Sequence, residues 1–280
     1  MRKINVNDIS NAIAKMCIEA NIVIRNDIKR ALKKAFHSEK NKRAKNILKI
    51  LLENADIAEK DKLAICQDTG LCVVHIEVGQ DVHLIGGTLK DAVNKGVEKG
   101  YTKGYFRSSV VNDPVSRKTK AKTYPAMLTT EIVAGSKVKI TVFPKGFGSE
   151  NKSRIYMLNP TDGEDKIIEA VVKTVKEAGP NACPPFVVGV GIGGTFDKAA
   201  LIAKKAMFRD IIKPNKDKGI RSLEARLLKE INDLNIGPMG LGGKNTCLGV
   251  NVETYPTHIA GLPVAVNINC HATRSCTRLI

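Results

Sequence analysis

Cys66 in AICQDTG, Cys183 in NACPPF and Cys270 in NINCHATR each stand at the end of a candidate element, beside polar or conformationally restricted neighbours. Thiolates are soft ligands suited to iron. Three of them converging on one centre suit an iron-sulfur cluster in which one iron has no protein ligand. Spacing alone does not establish convergence. The seven cysteines (Cys17, Cys66, Cys72, Cys183, Cys247, Cys270 and Cys276) form an odd set with no CxxC pair and no zinc-finger spacing. Each is also readable as a buried thiol, which packs as a small hydrophobe in a reducing compartment. Pro184 after Cys183 fixes the backbone and removes an amide donor, which suits a rigid loop exposing a sulfur and an ordinary tight turn equally.

Further segments carry polar chemistry. In GYFRSSVVNDP, Arg107 lies between aromatic residues and a serine pair, and its guanidinium fork is a natural bidentate clamp for a carboxylate, with a plain surface arginine as the alternative. In FPKGFGSENKS, Gly146 and Gly148 either let backbone amides approach an anion or form a turn. His258, in YPTHIAGLPV, precedes the final long strand candidate and reads as a proton carrier or as a structural loop histidine. The run GVGIGG at 189 to 194 matches GxGxxG after a strand, yet the following MFRDIIKPNKDKG replaces the acid-terminated second strand that a dinucleotide site needs. These glycines are therefore expected to permit close packing or backbone approach near the Cys183 loop.

The elements that must position these residues are legible in outline. Ile9, Ile13, Met16, Cys17 and Ala20 follow one helical face, Ile28, Leu32 and Ala35 begin another after Asn26 and Asp27, and Ala44, Ile47, Leu48 and Leu51 make a third. From residue 63 the texture changes. Strands are expected at 71 to 78, 137 to 143, 186 to 190, 247 to 254 and 262 to 269, and amphipathic helices at 163 to 178, 197 to 209 and 220 to 234. Without a regular βαβ rhythm, the expectation is a mixed α/β, non-Rossmann fold: a helical N-terminal layer packed on β-sheets with surrounding helices. The expected division is a helical subregion, 1 to 60, and a catalytic α/β region, 61 to 280, packed as one unit.

Composition limits the partners. The 280 residues are 43% apolar, enough for a substantial core, and contain no run of about 18 apolar residues and no apolar N-terminal leader. A cytoplasmic protein without membrane contact is expected. The net charge of +17 is concentrated in the stretch from residue 25 to 49, with ten basic residues against Asp27 and Glu39, which reads as solvated helix surface. A nucleic-acid-binding protein would account for this charge directly, but the stretch has only Phe36 as an aromatic residue and no binding motif.

Taken in order, CQDTG, GYFRSSVVNDP, GSENKS, NACPPFVVGVGIGGT, LGGKNTCLGVNV and THIAGLPVAVNINCHATR resemble, across nearly the whole chain, the N-terminal catalytic region of class I fumarate hydratases and L-tartrate dehydratases. In two-subunit forms this region is the alpha subunit. The resemblance implies a 4Fe-4S cluster held by Cys66, Cys183 and Cys270, leaving Cys17, Cys72, Cys247 and Cys276 as structural thiols. It implies substrate contacts from Gln67, Asp68, Arg107 and Gly148, and makes Asp68 and His258 the candidates for proton relay or for orienting the bound hydroxyl. Single-chain relatives read CSADR where this chain has CHATR, and no role is carried to His271 or Arg274. The implied function is reversible hydration of fumarate to L-malate, with dehydration of L-tartrate to oxaloacetate as the alternative. The implied partners are a small dicarboxylate substrate and a separate beta subunit that supplies the proton-abstracting residue and further Arg and Lys clamps, in a symmetric hetero-oligomer.

Overall fold

The apolar spacing of the first sixty residues is realised as three helices in the computed structural model, which describes residues 1 to 280. In chain order the first elements are β1 (Arg2–Asn5), α1 (Val6–Ile22), α2 (Asn26–Ser38), α3 (Lys42–Asp61), β2 (Leu71–Gly79), β3 (Val82–Ile85), α4 (Leu89–Lys103), β4 (Met127–Val133) and β5 (Val138–Lys145). There follow α5 (Phe147–Glu150), β6 (Arg154–Leu158), α6 (Gly163–Ala178), β7 (Phe186–Gly193), α7 (Phe196–Ala206), α8 (Lys218–Asp233), β8 (Cys247–Tyr255), β9 (Leu262–Asn269) and β10 (Cys276–Leu279). The result is a mixed α/β fold with two four-stranded sheets and a parallel pair of β1 with β3. No helix is long and apolar enough to cross a membrane.

The chain divides into two compact units. Unit one comprises Met1–Arg25, Ala55–Phe147 and Arg274–Ile280, and unit two comprises Asn26–Asn54 and Gly148–Thr273. The helical first sixty residues are thus shared: α1 belongs to unit one, α2 to unit two, and α3 runs through the boundary.

In unit one the sheet order is β10-β5-β2-β4, with β2 antiparallel to β5 and parallel to β4. Period-two alternation sends Cys72, Val74 and Ile76 of β2 and Val138, Ile140 and Val142 of β5 into one core with Ile9, Ile13 and Met16 of α1. Each fully buried aliphatic side chain contributes about 1.5 to 3 kcal/mol. Helix α4 was not anticipated. It lies against α1 through Gly96 and Gly100, where a Cβ would come within 2.6 Å of the Ser10 carbonyl oxygen and 2.7 Å of that of Ala14. The same glycines weaken the intrinsic helical signal of the segment.

In unit two the sheet order is β6-β9-β7-β8, in which β9 is antiparallel to β6 and β7, and β7 is parallel to β8. Helices α6 and α8 bury Val171, Val175, Leu227 and Ile231 against Val188, Val190, Val264, Val266 and Ile268. On the other face α7 lies directly on the backbone of β7. A Cβ on Gly189 would stand 2.2 Å from the Ala203 carbonyl oxygen, and one on Gly191 would stand 2.2 Å from that of Ala199. The GVGIGG run therefore begins inside a strand and serves helix-on-sheet packing, not a phosphate-binding turn. The basic residues between 25 and 49 are exposed or half-buried, around a buried stripe of Ile28, Leu32 and Ala35.

Candidate active site

In unit one the loop from 62 to 70, between α3 and β2, carries Cys66, Gln67 and Asp68. It is tied at one end by the Ile65 N–H to the Asn21 carbonyl, 3.0 Å. At the other end Gly70 takes a left-handed φ of +76°, where a Cβ would be 2.7 Å from the Lys145 nitrogen, so only glycine lets the loop pass so close to β5. The Cys66 thiol is half-buried and donates to Gln67 Oε1 at 3.2 Å, while Gln67 itself is exposed. Asp68 accepts on both carboxylate oxygens, from the Gly70 N–H at 3.0 Å and the Phe147 N–H at 2.9 Å. The anion that the glycine-flanked amide of FPKGFGSENKS meets is thus this chain's own aspartate. Arg274, 2% exposed, donates from Nη2 to the Asp68 carbonyl at 2.5 Å.

Thr69, buried beside Asp68, joins the second segment to the first. Its hydroxyl accepts the Arg107 N–H at 3.0 Å, and its carbonyl accepts the Tyr101 hydroxyl at 2.9 Å. Tyr101 is buried edge-on against Phe106, with ring centroids 5.5 Å apart. The backbone of Arg107 is fixed this way while its side chain stays exposed. Cys66, Gln67, Asp68 and Arg107 therefore belong to one neighbourhood. Neither Thr69 nor Tyr101 was singled out from sequence, although Thr69 lies within CQDTG and Tyr101 lies three residues before the GYFR segment.

In unit two Cys183 and Cys270 lie at the same end of the sheet. The register of β7 with β9 pairs Val187 with Asn269, so the residues preceding β7 and following β9 meet there. Cys183 is half-buried in a left-handed conformation, φ 53° and ψ 67°, after a 3-10 turn over Gly179–Ala182, and the peptide between Pro184 and Pro185 is cis. Its carbonyl lies 3.2 Å from both the N–H and Nδ1 of His271. Thr273 Oγ1 donates to the carbonyl of the half-buried Cys270 at 2.8 Å. Gly148 joins this end too. A Cβ there would be 3.7 Å from the Asn181 carbonyl oxygen, and the adjoining Ser149 hydroxyl donates to Asn269 at 3.3 Å.

His258 is elsewhere in unit two. It is exposed in the loop between β8 and β9, where its Nδ1 accepts the Ala260 N–H at 3.1 Å and the neighbouring Thr257 hydroxyl donates to the Gly194 carbonyl at 2.8 Å. Strand β9 holds it at the opposite end of the sheet from Cys270, roughly 25 Å away for eight strand residues.

The cysteines fall into two classes. Cys66, Cys183 and Cys270 are half-buried, whereas Cys17, Cys72, Cys247 and Cys276 are buried. A hydrogen bond with Cys72, together with burial, holds the Cys17 thiol well above its ordinary range. Burial pushes Cys247 up to about 12 and Cys276 up to about 11. Those thiols resist forming the thiolate that a metal requires. Within either unit no group of three or more His, Cys, Asp or Glu side chains is gathered closely enough to hold a metal ion.

Comparison with known proteins adds to this geometry. Residues 10–278 match the family model described as Fumarate hydratase (Fumerase). A Methanocaldococcus jannaschii protein carrying the provisional name L(+)-tartrate dehydratase subunit alpha is 39% identical over 279 residues, covering 97% of each chain. The L(+)-tartrate dehydratase subunit alpha of Escherichia coli O157:H7 is 29% identical over 278 residues, covering 98% of this chain and 91% of that one.

Proposed function

The chain belongs to the fumarate hydratase (Fumerase) family of hydro-lyases, and on that footing we propose that it is the alpha subunit of a two-subunit enzyme that adds or removes water across a four-carbon dicarboxylate. The observation that carries this reading is the partition of the cysteines. The three that the family pattern marks as ligands are half-buried, and two of them share one sheet end with Gly148. The relatives' names as alpha subunits support a separate beta subunit as the partner.

The donor set fits a 4Fe-4S cluster held by Cys66, Cys183 and Cys270: three accessible thiols, soft ligands, with the remaining four withdrawn into apolar surroundings. Such a cluster, with one iron free of protein ligands, supplies Lewis acidity toward a substrate carboxylate and hydroxyl. The chain's own residues do the rest. Arg107, its backbone fixed by Thr69 and its guanidinium free to move, clamps a substrate carboxylate. Gln67 donates hydrogen bonds to the same anion, where negative charge grows as the neighbouring carbon loses its proton. Gly148 leaves space for a ligand against the backbone at 147 to 149. Asp68, oriented by the Gly70 and Phe147 amides, holds or moves a proton at the hydroxyl that is gained or lost. His258, separated from Cys270 by the length of β9, would reach this chemistry from a second copy of the chain.

Two substrate pairs remain in play, fumarate with L-malate and L-tartrate with oxaloacetate. The family description supports the first, and the relatives' names support the second. The deciding experiment is anaerobic co-expression with the beta subunit, followed by iron counting and steady-state rates on fumarate, L-malate and L-tartrate. The pair is expected to turn over one substrate pair preferentially and the chain alone to be inactive. Full activity of the chain by itself with its cluster reconstituted would end the two-subunit reading.

A further inference from the structure

The segment from Tyr105 to Lys122 has no role in the chemistry above beyond Arg107. Between the end of α4 and the start of β4, residues 107 to 126 form no helix or strand, and only the bridge of Val110 with Lys122 (N–H to carbonyl 2.8 and 2.7 Å) closes 111 to 121 into an arm. Irregular stretches of this length are uncommon within compact folds and are usually functional. The segment from Tyr105 to Lys122 carries Arg107, Arg117, Lys118, Lys120 and Lys122 against the single acid Asp113. That acid is engaged in its own turn, accepting from the Val115 N–H at 2.9 Å and from the N–H and hydroxyl of Ser116 at 3.1 and 2.5 Å. Its carboxylate is thus held within the turn, and cations outnumber it five to one along the segment.

The same segment displays apolar surface. Tyr105 is 96% exposed and Val115, at the turn, is 90% exposed. Tyr105 holds a left-handed backbone, φ 54°, a conformation that costs a non-glycine residue about 1 kcal/mol. An exposed tyrosine and valine on the same segment as a row of cations is the make-up of a protein contact: aromatic and apolar groups for its centre, charges for its rim.

We infer that this arm is the docking surface for an acidic polypeptide, and that the polypeptide is the separate subunit completing the active site. This rests on the two-subunit reading above. Arg107 at the base of the arm would then be set in place when the subunit binds, so assembly and substrate recognition share one segment. The steering field of the cations also favours an acidic partner for a chain of net charge +17.

The test compares association of the full chain with a tagged beta subunit of the same organism, at low and high salt. Combined Arg117→Glu, Lys118→Glu and Lys120→Glu is expected to weaken association at least about 100-fold at low salt. Tyr105→Ala with Val115→Ser should weaken it about as much, and less salt-dependently. Combined Lys42→Glu, Arg43→Glu and Lys49→Glu on α3 should leave it unchanged. Failure of the unaltered chain to associate at all would remove the two-subunit reading itself. Association equal to the unaltered chain in the first two variants overturns the arm as a docking surface while leaving that reading intact. So does equal weakening by the α3 variant.

Discussion

His271 is bound to Cys183 through a single carbonyl oxygen, which stands 3.2 Å from the histidine's N–H and 3.2 Å from its Nδ1. A carbonyl only accepts, so the ring presents Nδ1 as the donor and leaves Nε2 as an acceptor in the neutral form. The residue after the third proposed ligand thereby anchors the loop of the second. His271→Ala keeps the backbone bond and loses the ring bond. It should lower iron retention about 10- to 100-fold in a chelator challenge after anaerobic reconstitution, the range for groups that orient metal ligands. Retention equal to the unaltered protein would show that the backbone bond alone holds Cys183.

Cys66→Ser, Cys183→Ser and Cys270→Ser should each lose iron, while Cys72→Ser and Cys276→Ser should not. Iron and sulfide content on anaerobically reconstituted protein measures this. Comparable loss in all five variants would overturn the ligand assignment.

Asp68→Asn replaces a doubly accepting carboxylate with an amide that keeps one acceptor. The Phe147 or Gly70 N–H loses its partner at a cost of about 1 kcal/mol. The assembled enzyme should lose about 100- to 10,000-fold in kcat if this carboxylate handles the proton. A kcat within twofold of the unaltered enzyme would leave Asp68 a structural acceptor only.

Two glycine substitutions should separate binding from stability. At Gly148 an added Cβ finds its nearest neighbour at 3.7 Å, an ordinary contact, so Gly148→Ala should melt with the unaltered protein while KM rises. At Gly96 the Cβ would stand 2.6 Å from the Ser10 carbonyl oxygen, so Gly96→Ala should destabilise by about 1 to 3 kcal/mol with kinetic constants unchanged below its melting range. Thermal melts alongside steady-state kinetics read both.

The chain should lose stability in alkali for a reason that lies in its core. Cys247 is pushed by burial up to about 12 from an ordinary value of 9.0. Above pH 9 the unfolded chain releases this proton and the folded chain keeps it. Stability is therefore intact below pH 9 and falls between 9 and 12, by up to about 1.4 kcal/mol per pH unit. Urea midpoints at pH 8 and 10.5 should show the fall, and Cys247→Ala should show a shallower one. Identical slopes would assign the effect to other groups.

Much of the framework was legible in sequence because its signals are local. The faces of α1, α2 and α3 and the alternation in β2, β7 and β9 depend only on which side of an element meets the core, and those elements lie where periodicity puts them. Helix α4 was hidden because Gly96 and Gly100 lower helix propensity, and their use, close approach to α1, exists only in the folded protein. Strand β4 was hidden because it is a sheet-edge strand of mixed exposure, with Ile132 outward. In the candidate site the motif segments were readable, but their supports were not. Thr69 and Tyr101 act through backbone groups of residues far away in the chain. His258 shows a different limit. Twelve residues before Cys270 is close in sequence, and a straight strand turns that into a long separation.

The placement of β10 sets an order on biosynthesis. This strand pairs Cys276 with Val142 of β5, and all the strands of unit two lie between them in the chain. While residues 148 to 273 are being made, β5 presents an edge with no neighbour, the kind of edge that recruits foreign strands. Unit two can close as soon as β9 emerges, whereas the sheet of unit one is finished only after residues 276 to 279 have followed.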